Sequence, residues 1–206
     1  MLDPRGVGLV PRGDSVKVRE SGMPEEERWG TFFNVPEILR VMEVDRSVMD
    51  LVEFGCGYGT FTIPTAKEIS GRVYALDIEP GMVDMVIGRG QSAGSSNIVG
   101  MVRDFIEHGA GLPDNSVDYV MLFNILHDEH PARLLNEAYR LLRSDGKLGI
   151  IHWNYDPTTP RGPPMAIRPR PEQCVQWADQ AGFALVKRCD LDPYHYGLLF
   201  KKTKRE

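Results

Sequence analysis

Cysteine is scarce in this sequence. The chain of 206 residues contains three cysteines, Cys56, Cys174 and Cys189. Their number is odd, their spacing is wide and no C-x-x-C pair occurs. This pattern argues against a disulfide framework, a zinc ribbon and an iron–sulfur cluster. We therefore expect a reducing, cytoplasmic compartment and no metal site.

Long apolar runs and an excess of basic residues are also missing. No apolar stretch reaches the roughly 18 residues that a membrane-spanning helix needs. Pro4, Arg5, Gly6, Pro11 and Arg12 interrupt the first apolar residues, which argues against a signal peptide. The formal net charge is −5, so the chain offers a nucleic-acid backbone no overall attraction. A membrane or nucleic-acid partner is therefore not expected.

The remaining composition is that of one globular domain. Hydrophobic residues make up 42% and charged residues 26%, both close to the average for soluble proteins. Residues 1–22 combine glycine, proline and charge without periodicity, which predicts a flexible tail. Residues 23–206 are expected to form a single domain without internal repeats.

From residue 48 onward, patterns typical of strands alternate with patterns typical of helices. Strands are predicted at residues 48–54, 72–76, 98–102, 117–123 and 147–153, and helices at 36–42, 61–69, 80–87, 131–142 and 171–181. This alternation predicts a parallel sheet with helices on both faces and ligands at the carboxyl ends of the strands. The runs 183–189 and 196–201 are joined by a connection too short for a crossover helix, so they must pair antiparallel.

The first predicted strand runs into the sequence Glu53-Phe54-Gly55-Cys56-Gly57-Tyr58-Gly59. Glycines at such a bend permit positive φ angles and let the backbone approach a ligand closely. The N–H groups that begin the following helix are free to face that ligand. The G-x-G-x-G spacing lacks the third glycine of the dinucleotide fingerprint, where Thr60 stands instead. A tight structural turn is the alternative interpretation.

Two carboxylates follow the next two strands. Asp77 stands at the end of the second strand, where it could accept hydrogen bonds from both hydroxyls of a ribose. Asp104 comes just after the third strand and precedes Phe105. It could accept from an adenine amino group beside Phe105, or it could be a helix cap or a solvated loop acid.

Together with Leu112–Asp118 (LPDNSVD) and Leu141–Lys147 (LLRSDGK), these motifs resemble the small class I S-adenosylmethionine (SAM)-dependent methyltransferases of the type 11 group. The resemblance covers about residues 25–202 and is not specific to a substrate. It implies a Rossmann-like fold with a mostly parallel seven-stranded sheet and an antiparallel C-terminal hairpin. It also implies SAM as cofactor and S-adenosylhomocysteine (SAH) as product. The loop 105–111 is longer than is usual in this family.

The resemblance further implies which residues surround the cofactor. They are Glu53, Gly55, Cys56, Gly57, Asp77, Ile78, Asp104, Phe105 and Asn124. The segment around Arg28 and Trp29 is expected to close over the methionine end, with Arg28 pairing with the cofactor carboxylate. A surface charge at Arg28 and a core role for Trp29 are the alternatives.

Two histidines are the predicted catalytic residues. His127 follows the fourth strand and His152 lies in the fifth, and a histidine can take a proton from an acceptor near neutral pH. Both could instead be hydrogen-bonded lining residues. Tyr194, His195 and Tyr196 could wall a pocket for a flat or apolar acceptor, or be aromatic residues of a strand edge.

The connection 157–171 is long and rich in proline. It contains Arg161, Arg168 and Arg170, and its position after the fifth strand makes it a candidate acceptor lid. Its arginines would suit an anionic substrate. A surface connection without such a role is the alternative.

These observations predict a SAM-dependent methyltransferase acting on a small molecule. The sequence Asn124-Ile125-Leu126-His127 differs from the Asn/Asp-Pro-Pro-aromatic signature of enzymes that methylate exocyclic or amide nitrogens in DNA, RNA or protein. A SAM-binding accessory or regulatory module without turnover, and a protein or RNA methyltransferase, are the alternatives. An NAD-dependent oxidoreductase is disfavoured by the glycine spacing and the terminal hairpin.

Overall fold

The computed structural model describes residues 25–204. The predicted tail of residues 1–22 lies outside this range. The strands are β1 Leu51–Phe54, β2 Val73–Asp77, β3 Ile98–Val102, β4 Val117–Phe123, β5 Leu142–Trp153, β6 Phe183–Leu191 and β7 His195–Lys202. The helices are α1 Glu26–Gly30, α2 Val35–Val41, α3 Thr62–Glu68, α4 Pro80–Ser92, α5 Phe105–His108, α6 Pro131–Leu141 and α7 Pro171–Gln180.

All seven of these strands form one sheet in the order β3-β2-β1-β4-β5-β7-β6. Strands β1 to β5 are parallel to one another, whereas β7 is antiparallel to both β5 and β6. The mostly parallel sheet with an antiparallel terminal hairpin is therefore confirmed. Because the strand order reverses between β1 and β4, their carboxyl ends border the crevice where sheets of this kind bind ligands.

Apolar side chains cover both faces of the sheet. On one face, α6 contributes Leu134, Leu135, Ala138 and Leu141, which share one side of the helix and are all buried. On the other face, residues of α1, α2 and α3 pack over Trp153 and neighbouring strand residues. Helices on both faces hold the carboxyl edge of the sheet in a fixed position. No helix in the described part of the chain combines the length and apolar composition needed to cross a membrane.

Helix α4 is longer than the sequence predicts. It continues to Ser92, although residues 88–97 contain glycines that disfavour helices. Gly90 faces β3, and a Cβ at this position would lie 2.5 Å from Cδ1 of Ile98. The absence of a side chain at Gly90 therefore allows close helix–strand packing. The one-turn helices α1 and α5 are not predicted, because four or five residues give too little periodicity.

Candidate cofactor and acceptor site

The glycine-rich turn follows β1 at the switch point. Gly55, Gly57 and Gly59 adopt φ angles of 76°, 49° and 80°, a region that residues with side chains rarely enter. The backbone N–H groups of Gly55 and Cys56 both donate to the carbonyl of Leu76, at 2.8 and 2.9 Å. The turn is therefore fixed to the end of β2, and its glycines have the conformational role that the sequence predicts.

Asp77 connects the end of β2 to this turn. Its Oδ2 accepts from the N–H of Gly57 at 2.9 Å, and its Oδ1 accepts from the N–H of Glu79 at 3.1 Å. The Cys56 thiol lies 4.0 Å from Oδ2. The thiol is a second, weak donor to Oδ2, whereas Oδ1 has a second lone pair for a ligand hydroxyl. The structure thus brings Cys56, Gly57 and Asp77 together, with the half-buried Ile78 next in the chain.

Glu53 lies in β1 with its side chain buried. The hydroxyl of Thr62 donates to its Oε2 at 2.5 Å. Burial raises the pKa of Glu53 to about 8; the Thr62 hydrogen bond opposes this shift and the Asp77 charge adds to it. Glu53 is therefore mainly protonated at pH 7 in the absence of a positively charged ligand.

Asp104 and Phe105 lie beyond β3, next to the end of β2. The N–H of Arg103 donates to the Asp77 carbonyl at 2.7 Å. This hydrogen bond holds the segment beside Asp77, the residue predicted to bind the ribose. Asp104 caps α5, since its Oδ1 accepts from the N–H of Glu107 at 3.1 Å. The Phe105 ring is buried edge-on against Phe54. Asp104 is therefore a helix cap, which is one of the alternatives that the sequence left open. Its contact with adenine stays a prediction.

Asn124 follows β4 across the crevice from the glycine turn. It has a φ of 56°, and its N–H donates to the carbonyl of Ile151 at 2.7 Å. The side-chain Oδ1 and Nδ2 are buried and have no hydrogen-bond partner among the described residues. Buried amides nearly always have partners, so this one indicates a polar ligand at the carboxyl edge.

Arg28 and Trp29 differ in their surroundings. Arg28 is exposed on α1 and forms no ion pair among the described residues, whereas Trp29 is buried against Phe33 and Trp153. Sequence reasoning missed Arg89, which pairs with Glu26 of α1 and donates to the Tyr58 carbonyl at 3.2 Å. Arg89 therefore ties α1 to the glycine turn. No sequence signal joins these residues, because they lie far apart in the chain.

The two predicted catalytic histidines are adjacent. Nδ1 of His127 lies 3.3 Å from Nε2 of His152, and both rings are buried. Burial lowers the pKa of His127 to about 4, against the opposing charge of Asp128. Burial also lowers the pKa of His152 well below its ordinary value, with smaller contributions from His127, His195 and Arg168. Both rings are therefore neutral near pH 7, and their lowered pKa values make them weaker bases than a free histidine.

The three aromatic residues near the final turn separate into two groups. His195 lies between Phe33 and Trp153, at ring-centre distances of 4.5 and 4.3 Å. Tyr194 is 6.2 Å from Trp153. Tyr196 stacks instead on His152 at 6.4 Å, and its hydroxyl donates to the Pro169 carbonyl. His195 and Tyr194 can therefore wall one pocket together, and Tyr196 supports the histidine pair.

Arg168 does not have the role expected of the arginines in the 157–171 connection. Its guanidinium is largely buried and donates to carbonyl oxygens and one hydroxyl of its own loop, those of Asn154, Asp156, Thr159, Arg161 and Pro163. These bonds use its donors, so it has none left for an anionic substrate. The interpretation was wrong for Arg168 because the sequence does not reveal how a loop folds on itself.

Comparisons with known proteins agree with this geometry. Residues 52–150 match the family model described as "Methyltransferase domain". Demethylmenaquinone methyltransferase of Lactobacillus johnsonii is 32% identical over 110 residues, which are 51% of this chain and 43% of that protein. Aklanonic acid methyltransferase DauC of Streptomyces sp. strain C5 is 31% identical over 99 residues, 46% of this chain and 44% of that protein. The matched part therefore spans less than half the length of these curated relatives.

A solved structure shows the same fold over most of the chain. The SAM-dependent methyltransferase from Aquifex aeolicus superposes with a TM-score of 0.76 at 22% identity, covering 86% of this chain and 93% of that one. The family match begins in β1 and ends in β5, so it includes the glycine turn, Asp77, Asp104 and Asn124. Residues 52–150 therefore match the methyltransferase domain family, and the chain has the fold of a SAM-dependent methyltransferase.

Proposed function

We propose that this protein transfers the methyl group of SAM to a small-molecule acceptor. One observation carries the proposal. The glycine turn, the Asp77 carboxylate and the unpartnered amide of Asn124 converge on the crevice between β1 and β4. A purely structural turn would not account for a buried amide without partners on the opposite side of that crevice.

The residues of this edge suit the parts of the cofactor. Asp77 would accept hydrogen bonds from the ribose hydroxyls, while Asp104 and Phe105 would border the adenine. Asn124 would supply an amide to the polar methionine end, where Glu53 could release its proton to balance a positive charge. The cofactor, when bound, supplies a methyl group activated by a positively charged sulfur. The protein then has to position the acceptor and exclude water.

His127 is the proposed base for an acceptor that must lose a proton. Its ring is neutral, because burial holds its pKa at about 4. The contact between its Nδ1 and Nε2 of His152 orients the ring, which directs Nε2 of His127 away from His152. His152 is therefore a positioning residue, and His127 is the one that would contact the acceptor.

Several observations support a small acceptor. The names of two relatives refer to demethylmenaquinone and aklanonic acid, which are small molecules. The net charge of −5 weighs against a nucleic-acid acceptor. The three cysteines are free, which fits a cytoplasmic protein.

Turnover with methyl-labelled SAM tests this proposal. We expect the purified chain to label at least one member of a panel of small quinols and polycyclic phenols, detected by mass spectrometry of the products. His127→Gln should bind SAH normally and lose labelling of acceptors that must be deprotonated. Binding of SAH without labelling of quinols, phenols, protein or RNA would instead support an accessory SAM-binding module.

A further inference from the structure

Five aromatic rings form a compact group where β5 ends and β7 begins. Trp153 and His195 are paired in the β5–β7 ladder, and Phe33 covers His195 at 4.5 Å. Phe32 packs edge-on against both Trp153 and Tyr194, at 5.2 and 5.8 Å. We refer to Phe32, Phe33, Trp153, Tyr194 and His195 as the aromatic box. Trp153 and His195 belong to the sheet, whereas Phe32 and Phe33 belong to the connection between α1 and α2 that packs over them.

Polar atoms without partners lie in this box. Eight buried side-chain nitrogen or oxygen atoms among residues 25–204 have no hydrogen-bond partner, and three of them belong to the box. They are both ring nitrogens of His195 and the indole N–H of Trp153, on two residues paired across the β5–β7 ladder. Folded proteins rarely leave such groups unpaired, so three of them on two adjacent rings indicate a ligand with polar atoms.

The chemistry of the box limits what that ligand can be. Burial, with a smaller effect from Arg168, lowers the pKa of His195 to about 3, so the ring is neutral. One of its nitrogens donates and the other accepts, and Trp153 adds a second donor. Arg168 uses its donors within its own loop and has none left for an anion. Flat rings on several sides favour a flat partner.

We propose that the aromatic box is the acceptor subsite, and that it takes a planar, uncharged acceptor bearing a hydroxyl or carbonyl group, such as a phenol or quinol. The acceptor exchanges hydrogen bonds with the His195 and Trp153 rings. Entry requires the Phe32–Phe33 connection to move, because these rings cover the box. This inference rests on the proposed function, since it names the acceptor class of the same site.

Ligand selectivity of the wild-type chain tests the inference without any substitution. The SAH-saturated protein is titrated calorimetrically with 1-naphthol, cyclohexanol and 1-naphthyl phosphate. The first is planar and uncharged, the second is not planar, and the third is anionic. We expect saturable binding of 1-naphthol alone. Binding of SAH with no preference for 1-naphthol overturns the inference, whereas failure to bind SAH contradicts the proposed function.

His195→Phe tests the role of the ring nitrogens. The substitution keeps a flat ring but removes two unpartnered polar atoms, so the melting temperature should rise while SAH affinity stays unchanged. The affinity for 1-naphthol should fall roughly tenfold, because a hydrogen bond to the ligand is lost.

Thr65→Val is the matched control. It removes a buried, unpartnered hydroxyl in α3 and should also raise the melting temperature, but it should leave 1-naphthol binding unchanged. Unchanged 1-naphthol binding by His195→Phe would overturn the inference, and a lower melting temperature would then identify His195 as a structural residue.

Discussion

At the scale of single residues, Asp77 has two roles that one substitution can test. Its carboxylate orders the glycine turn through the N–H groups of Gly57 and Glu79, and its Oδ1 has a lone pair left for a ribose. Asp77→Ala removes both contributions. We expect the dissociation constant for SAH to rise by a factor of roughly 10 to 100.

Calorimetric titration measures this change. Asp84→Ala is the control, because Asp84 is an exposed carboxylate on the neighbouring helix α4. The control should bind SAH as the wild type does. Equal SAH affinity for Asp77→Ala and the wild type would contradict the placement of Asp77 in the cofactor site.

Glu53 gives a prediction about stability and pH. Its folded pKa is raised from 4.5 to about 8, so the folded chain keeps a proton that the unfolded chain releases. Glu53 should therefore destabilise the folded chain by roughly 2 kcal/mol as the pH rises from 6.5 to 8. Glu53→Gln removes this contribution, so the variant should gain stability relative to the wild type over this interval. Urea unfolding of both proteins at pH 6.5 and 8 measures the difference, and the same pH dependence in both proteins would contradict the assignment.

Sequence reasoning identified some of these residues and missed others for a physical reason. Asp77 and the glycine turn are signalled by their positions at strand ends, which depend on local sequence. The Arg89–Glu26 pair and the carbonyl contacts of Arg168 depend on how distant or irregular segments fold together. Local patterns therefore predict the strand-end residues and leave such tertiary contacts unspecified.

At the scale of elements, the connection after β5 is held together by one side chain. Arg168 donates to oxygens of five residues between 154 and 163. A lysine has a single ammonium group and cannot reach the same set. Arg168→Lys should lower the free energy of unfolding by roughly 1 to 3 kcal/mol and accelerate hydrogen exchange in residues 154–169.

Hydrogen exchange monitored by mass spectrometry checks this prediction. Arg161→Lys is the control, because Arg161 is an exposed arginine of the same connection. Its exchange rates should match those of the wild type. If Arg168→Lys and Arg161→Lys behave alike, Arg168 does not organise the loop.

Long periodic elements could be predicted, and short or tightly packed ones could not. The positions of β3, β4 and α6 follow from apolar runs and helical spacing. The extension of α4 depends on Gly90 packing against Ile98, a tertiary contact that overrides glycine's low helix propensity. Local sequence patterns do not reveal such a tertiary contact.

At the scale of the whole molecule, three buried neutral histidines should make the protein sensitive to acid. The pKa values of His127, His152 and His195 are all lowered by burial. As the pH falls below 6.5, the unfolded chain takes up protons on these rings and the folded chain does not. Near pH 5.5 each ring contributes roughly 1.2 kcal/mol per pH unit, and Glu53 opposes them by a similar amount. Stability should therefore fall between pH 6.5 and pH 4, by roughly 2 to 3 kcal/mol per pH unit near pH 5.5.

Combined with the opposite effect of Glu53 above pH 6.5, this gives a stability maximum near pH 6.5. Urea unfolding at pH 5, 6.5 and 8 would locate it. A free energy of unfolding that increases steadily from pH 8 to pH 5 would mean that the histidines are not buried in their neutral forms.

The architecture of the sheet was predictable because alternating strands and helices restrict the topology. A short final connection then requires an antiparallel pair, as β6 and β7 show. The acceptor class could not be predicted, because the proposed subsite combines residues from the α1–α2 connection, β5 and β7. No local motif encodes such a combination.

The central claim is that the crevice between β1 and β4 binds SAM. Calorimetric titration of the purified chain with SAH, with NAD as the control, tests it most directly. The glycine turn, Asp77 and Asn124 predict one saturable site for SAH and no binding of NAD. Binding of NAD in preference to SAH, or of neither compound, would contradict this account of the site.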